Sequence, residues 1–217
     1  MALTKFNFNS FDVTSAASKG LGFNASANGF STIDPGSMTL IKTLTASSSA
    51  NLSFVHGSSD VVFDSTYPVY MFKFINIHPA STAYFQFNLS ADSGSNYNVT
   101  KTTTLFQAYQ NEAGNDTSLG YNTGQDLTQS TSPQYLTEMT TSNDDSGSGS
   151  LILFNPSSTT FVKHFIADNN GVYSSYSNRR FVSGYANTTS AIDAIQFTMS
   201  SGNIDSGTIK LYGIKDS

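Results

Sequence analysis

The sequence predicts an all-β protein, a jelly-roll-like antiparallel β-sandwich with long loops and an extended N-terminal arm. Three observations predict it. Apolar residues alternate with polar ones: Phe85, Phe87 and Leu89 interleave with Tyr84, Gln86 and Asn88, and Ile195, Phe197 and Met199 with Ala194, Gln196 and Thr198. Period two puts one set on a core face and the other toward solvent. Turn-forming residues punctuate these runs at short intervals. Composition is the third observation. Charged residues are 12% of the 217, about half the roughly 25% of an ordinary globular domain. In their place, 35 Ser, 25 Thr and 19 Asn fill more than a third of the chain. Too few long charged side chains remain to clothe a helical bundle. Seventeen Phe and eleven Tyr are enough to build a core, which excludes a disordered polar tract.

In chain order, the first expected strand is a short one at Lys5–Asn9. Clearer ones follow at Met38–Thr45, Ala50–Val55, Tyr70–His78, Tyr84–Ser90, Lys101–Tyr109, Leu151–Asn155, Phe161–Ala167, Arg180–Tyr185, Ala191–Met199 and Ser206–Ile214. Val, Ile, Thr, Phe and Tyr dominate them, the types that suit a pleated, half-buried surface. Breakers separate them at Asp34-Pro35-Gly36, His78-Pro79, Asp92-Ser93-Gly94, Asn155-Pro156 and Asn169-Asn170-Gly171. The stretch Asn111–Ser150 is long and rich in Gly and Ser. Such connections fit a Greek key or jelly roll better than a tight meander. Leu136–Thr140 is expected to form one short helix.

Residues 1–36 read as an N-terminal arm and 37–217 as the sandwich. Phe6, Phe8, Phe11, Phe23 and Phe30 follow no clean period. They fit an arm packed on its own domain or on a neighbour, and equally an ordinary first strand and loop.

Charge and motifs then narrow the function. The net charge is −5 and no basic cluster exceeds Arg179-Arg180, so no nucleic-acid partner is expected. Without cysteine, disulfides and thiolate metal sites are impossible. No apolar run approaches the ~20 residues of a membrane helix, and the N-terminus lacks a signal-peptide core. A chain made in a cytoplasm, soluble and without membrane contact, is therefore expected. Six Asn-x-Ser/Thr sequons (Asn24, Asn51, Asn88, Asn98, Asn115, Asn187) match the about five that composition gives by chance. His56, His78 and His164 stand apart from one another and read as structural. Asp34, Asp92, Asp144 and Asp168 read as turn residues. Asn143–Gly147 has a calcium-loop flavour but lacks the closing glutamate of an EF-hand. Gly20–Ala25 matches a loose dinucleotide fingerprint without the flanking strand and helix that would give it meaning. No catalytic residue, cofactor or metal ligand is singled out.

What the surface offers is tyrosine. Tyr97, Tyr109, Tyr121, Tyr135, Tyr173 and Tyr176, with Tyr185, lie in or beside stretches rich in Asn, Ser and Gly. That mixture is the contact chemistry of adaptable binding surfaces, and it suits sugars. The commoner role of such tyrosines is to cover strand ends with the ring buried and the hydroxyl wet.

Four segments, Tyr67–Pro79, Ser95–Lys101, Leu153–Thr160 and Ser201–Ile214, resemble virion structural proteins of tailed bacteriophages, especially those of marine bacteria. The closing Gly207-Thr208-Ile209-Lys210-Leu211-Tyr212-Gly213-Ile214 is the most specific part, and the resemblance runs from about Met38 to the C-terminus. It implies a non-enzymatic virion component with a jelly-roll-like sandwich, made in the host bacterial cytoplasm and located on the virion. Its implied partners are other virion proteins, further copies of itself, with a trimer favoured, and a host surface glycan. Two roles compete, capsid decoration or cement and a small tail-fibre module contacting the receptor. Outside that class stand a glycan depolymerase, which needs two facing carboxylates in a cleft, and a host carbohydrate-binding module.

Overall fold

The computed structural model describes residues 20–33 and 36–215. The expected strand at Lys5–Asn9, and Asp34 and Pro35 of the first breaker, lie outside them. The chain divides into two compact units between Thr39 and Leu40, two residues into a strand that otherwise belongs to the second.

The described part of the first unit is a hairpin of β1 (Gly20–Phe23) and β2 (Phe30–Ile33). The stretch set aside as a chance dinucleotide loop is thus itself a strand. Phe23 and Phe30 pair in register and stack at 5.2 Å.

The second unit is an all-β sandwich with every strand pair antiparallel. Its strands are β3 (Met38–Thr45), β4 (Leu52–Val55), β5 (Val69–Pro79), β6 (Ala83–Ser90), β7 (Lys101–Asn111), β8 (Thr117–Tyr121), β9 (Gln134–Met139), β10 (Gly147–Phe154), β11 (Lys163–Tyr173), β12 (Tyr176–Ala186), β13 (Ala194–Met199) and β14 (Ile204–Ile214). One sheet has eight strands in the order β3-β14-β5-β10-β11-β12-β7-β8, the other four in the order β4-β13-β6-β9. Leaving out β7, β8, β11 and β12 leaves eight strands. Renumbered in chain order, they stand as 1-8-3-6 over 2-7-4-5, the two interlocked Greek keys of a jelly roll. The four others are two insertions, β7–β8 and β11–β12, which widen the larger sheet on one side only.

Alternation fills the space between the sheets. Phe197 on β13 lies within 6.5 Å, ring to ring, of Phe54, Phe72, Phe74, Phe85 and Phe87, all buried. Most contacts are edge-on or tilted, the arrangements aromatic quadrupoles favour. The period breaks once within β5, where Phe74 and Ile77 are both buried, three residues apart. A bulge there absorbs the extra residue, with Asn76 at φ 50° and Gly207 opposite at φ 118°. A Cβ on Gly207 would stand 2.7 Å from the Asn76 carbonyl oxygen.

Four expectations are corrected. Leu136–Thr140 is not a helix; Leu136 to Met139 belong to strand β9. Its Leu, Glu and Met are good helix formers, but pairing with β6 overrides propensity. Asn169-Asn170-Gly171 is not a turn, because it pairs with both β10 and β12 inside the sheet. The actual turn is Ser174-Ser175, with Ser174 at φ 55°. Asp168 is accordingly a strand residue, on the outer face, bonded to Arg179 at 2.6 and 2.9 Å. Finally, Gln86 and Asn88 do not face solvent. Asn88 Nδ2 donates to the carbonyls of Tyr97 and Thr131, so the amide clamps two loops over the outer side of β6.

One end of the larger sheet's inner face holds two amines. Lys101 and Lys163 flank Ala186 in register and both are fully buried. Lys101 Nζ donates to Asn88 Oδ1 and to the Val99 carbonyl, and Lys163 Nζ to the carbonyls of Thr188 and Ser190. Neutral oxygens receive both charges. Burial brings the Lys101 amine down from 10.5 to about 8 and lowers that of Lys163 too. Between pH 8 and 10.5 the unfolded chain therefore binds more protons at Lys101 than the folded one, and stability rises with pH. Burial acts oppositely on Tyr70, whose phenol is pushed up to about 12, so above pH 10 stability falls again. Denaturation across pH 7–11 should show a rise on the order of 2 kcal/mol from pH 8 to 10, then a decline. Lys101→Met should flatten the rise; a rise unchanged in that variant would refute the assignment.

Candidate functional site

The inserted strands create the site. Strand β9, an edge of the smaller sheet, packs over β11 and β12. Glycine permits this approach, since a Cβ on Gly171 would collide with Thr137 Oγ1 and the Glu138 carbonyl. Beyond β9, the larger sheet continues as β7 and β8. Where β8 ends, its following loop runs on along β7, through Asn122 N–H to the Leu105 carbonyl, Thr103 N–H to Leu127 and Lys101 N–H to Ser130.

Between this overhang and β9 lies a recess of about 360 Å³, lined by strands β7 and β12, the end of β11, the β8 flanks and β9. Period two explains its floor. The residues of β12 that face inward are Tyr176, Asn178, Arg180 and Val182, and their cross-strand partners on β7 are Asn111, Tyr109, Gln107 and Leu105. The apolar row Val182–Leu105 closes the core, and the rows beyond it are polar.

Arg180 is the centre of this arrangement. Its side chain is 2% exposed. It donates to Gln125 Oε1 at 2.7 Å and to Glu138 Oε2 at 3.1 Å, and lies 5.1 Å over the Tyr84 ring. Burial pulls the guanidinium below its usual range, and Glu138 opposes that pull. Burial, and then Glu138, raise the Tyr84 phenol. Behind them, Gln134 binds Thr103 and the Gln125 carbonyl, which fixes the loop.

The polar groups here are not all satisfied. Arg180 Nε, Asn178 Oδ1, Gln107 Oε1, Asn169 Nδ2 and Thr137 Oγ1 are buried without a hydrogen-bond partner. Asn169 is Arg180's partner in register on β11, and Gly171, against which Thr137 rests, is that of Asn178. Each such group costs about 1–3 kcal/mol if left unmet, and among the described residues only Asp193 Oδ1 shares this condition elsewhere. Three of these atoms, Arg180 Nε, Asn178 Oδ1 and Gln107 Oε1, belong to residues that line the recess.

No family model, no curated protein and no solved structure matches this chain. Its residues alone must speak for the site.

Of the six tyrosines singled out, three meet here. Tyr109, Tyr173 and Tyr176 line the recess, half-buried. Tyr176 stands edge-on to Tyr109 at 5.8 Å and donates its hydroxyl to Asp116 at 2.9 Å, which raises its phenol. Tyr121 lies outside the recess, bonded to Asp126 at 2.7 Å. Tyr135 stacks on Tyr84 at 4.4 Å. Tyr97 covers Gly94, and Tyr185 neighbours His164 on the outer face. Sequence reasoning missed Gln107, Asn178 and Arg180. The available signal was in β12, where period two sends Arg179 outward and the adjacent Arg180 into the core layer.

Elsewhere, His56 accepts the Phe63 N–H on Nδ1 at 2.9 Å, a structural role. His78 sits 3.5 Å from Asp205 and bonds the Ser142 carbonyl, beside the loop with calcium-like spacing. Asp145 of that loop is engaged by the Thr140 hydroxyl. Among the described residues, no group of three or more His, Asp or Glu could hold a metal ion.

Proposed function

We propose that this chain is a non-enzymatic structural protein of a bacteriophage virion, and that the recess end of its sandwich is the surface that meets the host. The observation that carries the contact role is the convergence of three tyrosines and several unpartnered polar groups at one open edge. The phage-like segments support the virion setting. The jelly-roll order agrees with it, being common in viral capsid and lectin domains, although a fold by itself hosts many functions. A binding role is favoured over hydrolysis because both carboxylates at the recess are engaged, Asp116 by Tyr176 and Glu138 by Arg180.

A second reading, a decoration or cement protein, is favoured by the hairpin. Phe23 is 71% exposed and Phe30 42%, and two-stranded hairpins are marginal in water by themselves. In this reading the hairpin docks on a neighbouring virion protein or another copy, as a trimer would allow.

Disrupting the gene in the phage separates the roles. The contact role predicts lost adsorption with unchanged heat stability of the particles. Fragile particles that adsorb normally would favour cement. Absence of the protein from purified virions would overturn both.

A further inference from the structure

We propose that the recess formed by Tyr109, Tyr173, Tyr176, Gln107, Asn178 and Arg180 is a binding site for one uncharged sugar ring. This deepens the contact role proposed above and rests on reading the recess as a contact surface.

Three observations choose the ligand. The unmet atoms are of both kinds. Asn178 Oδ1 and Gln107 Oε1 need donors, while Arg180 Nε needs an acceptor. Asn178 is 8% exposed and Arg180 2%, and both line the recess. A pair of neighbouring hydroxyls donates and accepts at once, so a vicinal diol matches such a set in kind, whereas a carboxylate could only accept. Charge points the same way. The Arg180 guanidinium already faces Glu138, and Asp116 adds a second negative group. A free anion would meet no spare cation among these residues. Shape completes the case. Half-buried tyrosine rings offer faces for the C–H side of a pyranose. A volume of about 360 Å³ lies at the small end of ligand sites, which run from roughly 300 to 1,000 Å³.

Binding to the purified full chain is measured by calorimetry or NMR titration. The probes are the methyl glycosides of glucose, galactose and mannose, and N-acetylglucosamine, with glucuronate and inorganic phosphate for comparison. At least one neutral probe should saturate with a dissociation constant of roughly millimolar, the range open to a ligand of about a dozen non-hydrogen atoms. Asn178→Leu and Gln107→Leu should each weaken it by about tenfold. Tyr97→Phe, outside the recess, should leave it unchanged. If Asn178→Leu fails to fold, the Gln107→Leu result decides. Saturation by none of the neutral probes, tighter binding of glucuronate or phosphate, or unaltered affinity in the folded recess variants would overturn the proposal. Sugar binding by a protein absent from virions would refute the phage setting and leave the site standing.

Discussion

Phe197→Ala should lower folding stability by about 3–5 kcal/mol. Phe197 is fully buried on the central strand β13, with five phenylalanine rings around it. Four of them, Phe54, Phe72, Phe85 and Phe87, are themselves almost wholly buried. Rings held from both sheets cannot all close on the vacated space, so a cavity cost adds to the lost burial. In urea denaturation the midpoint should fall while the slope stays constant. A loss below about 1 kcal/mol would mean that the aromatic cluster repacks freely, contrary to the interlocked geometry.

Arg180→Met should cost a similar amount, about 3–5 kcal/mol, by a different route. The substitution keeps most of the volume but strands the Glu138 carboxylate and the Gln125 amide oxygen, both bonded to the guanidinium. Removing Glu138's charge as well should recover part of the loss. The double variant Arg180→Met with Glu138→Gln is therefore expected to be more stable than Arg180→Met alone. A double-mutant cycle measures the coupling directly. Strict additivity would show that the pair does not interact in the folded protein.

Some of this was legible in the sequence. Strand β6 announces itself, because Phe85, Phe87 and Leu89 must share one face and the small sheet gives them one. Strand β8 could not be read: all five of its residues are exposed, so no face is selected for apolar side chains. Strand β9 misleads because local propensity favours helix, while the energy that decides comes from β6 and from residues some fifty positions away. Asn169-Asn170-Gly171 misleads in the same way. Its turn chemistry is real, but Gly171 serves close approach to β9 and Asn169 points at Arg180's row. The tyrosines of the site were visible as a surface type. Gln107, Asn178 and Arg180 were not, because their meaning depends on register between β7 and β12, which no local pattern encodes.

The interlocked strand order also governs how the chain can acquire its shape. In each sheet an interior position is filled by a strand made late: β13 lies between β4 and β6, and β14 between β3 and β5. Until residues beyond about 190 leave the ribosome, the early strands have edges with no neighbour and phenylalanines with no cover. Distant pairing of this kind makes folding slow and leaves the nascent chain prone to aggregate while it waits. Once β14 slots in, the same order works in reverse. Neither β13 nor β14 can leave without breaking its pairing with two neighbours, so the assembled sandwich is held by a barrier to opening as well as by its depth of stability.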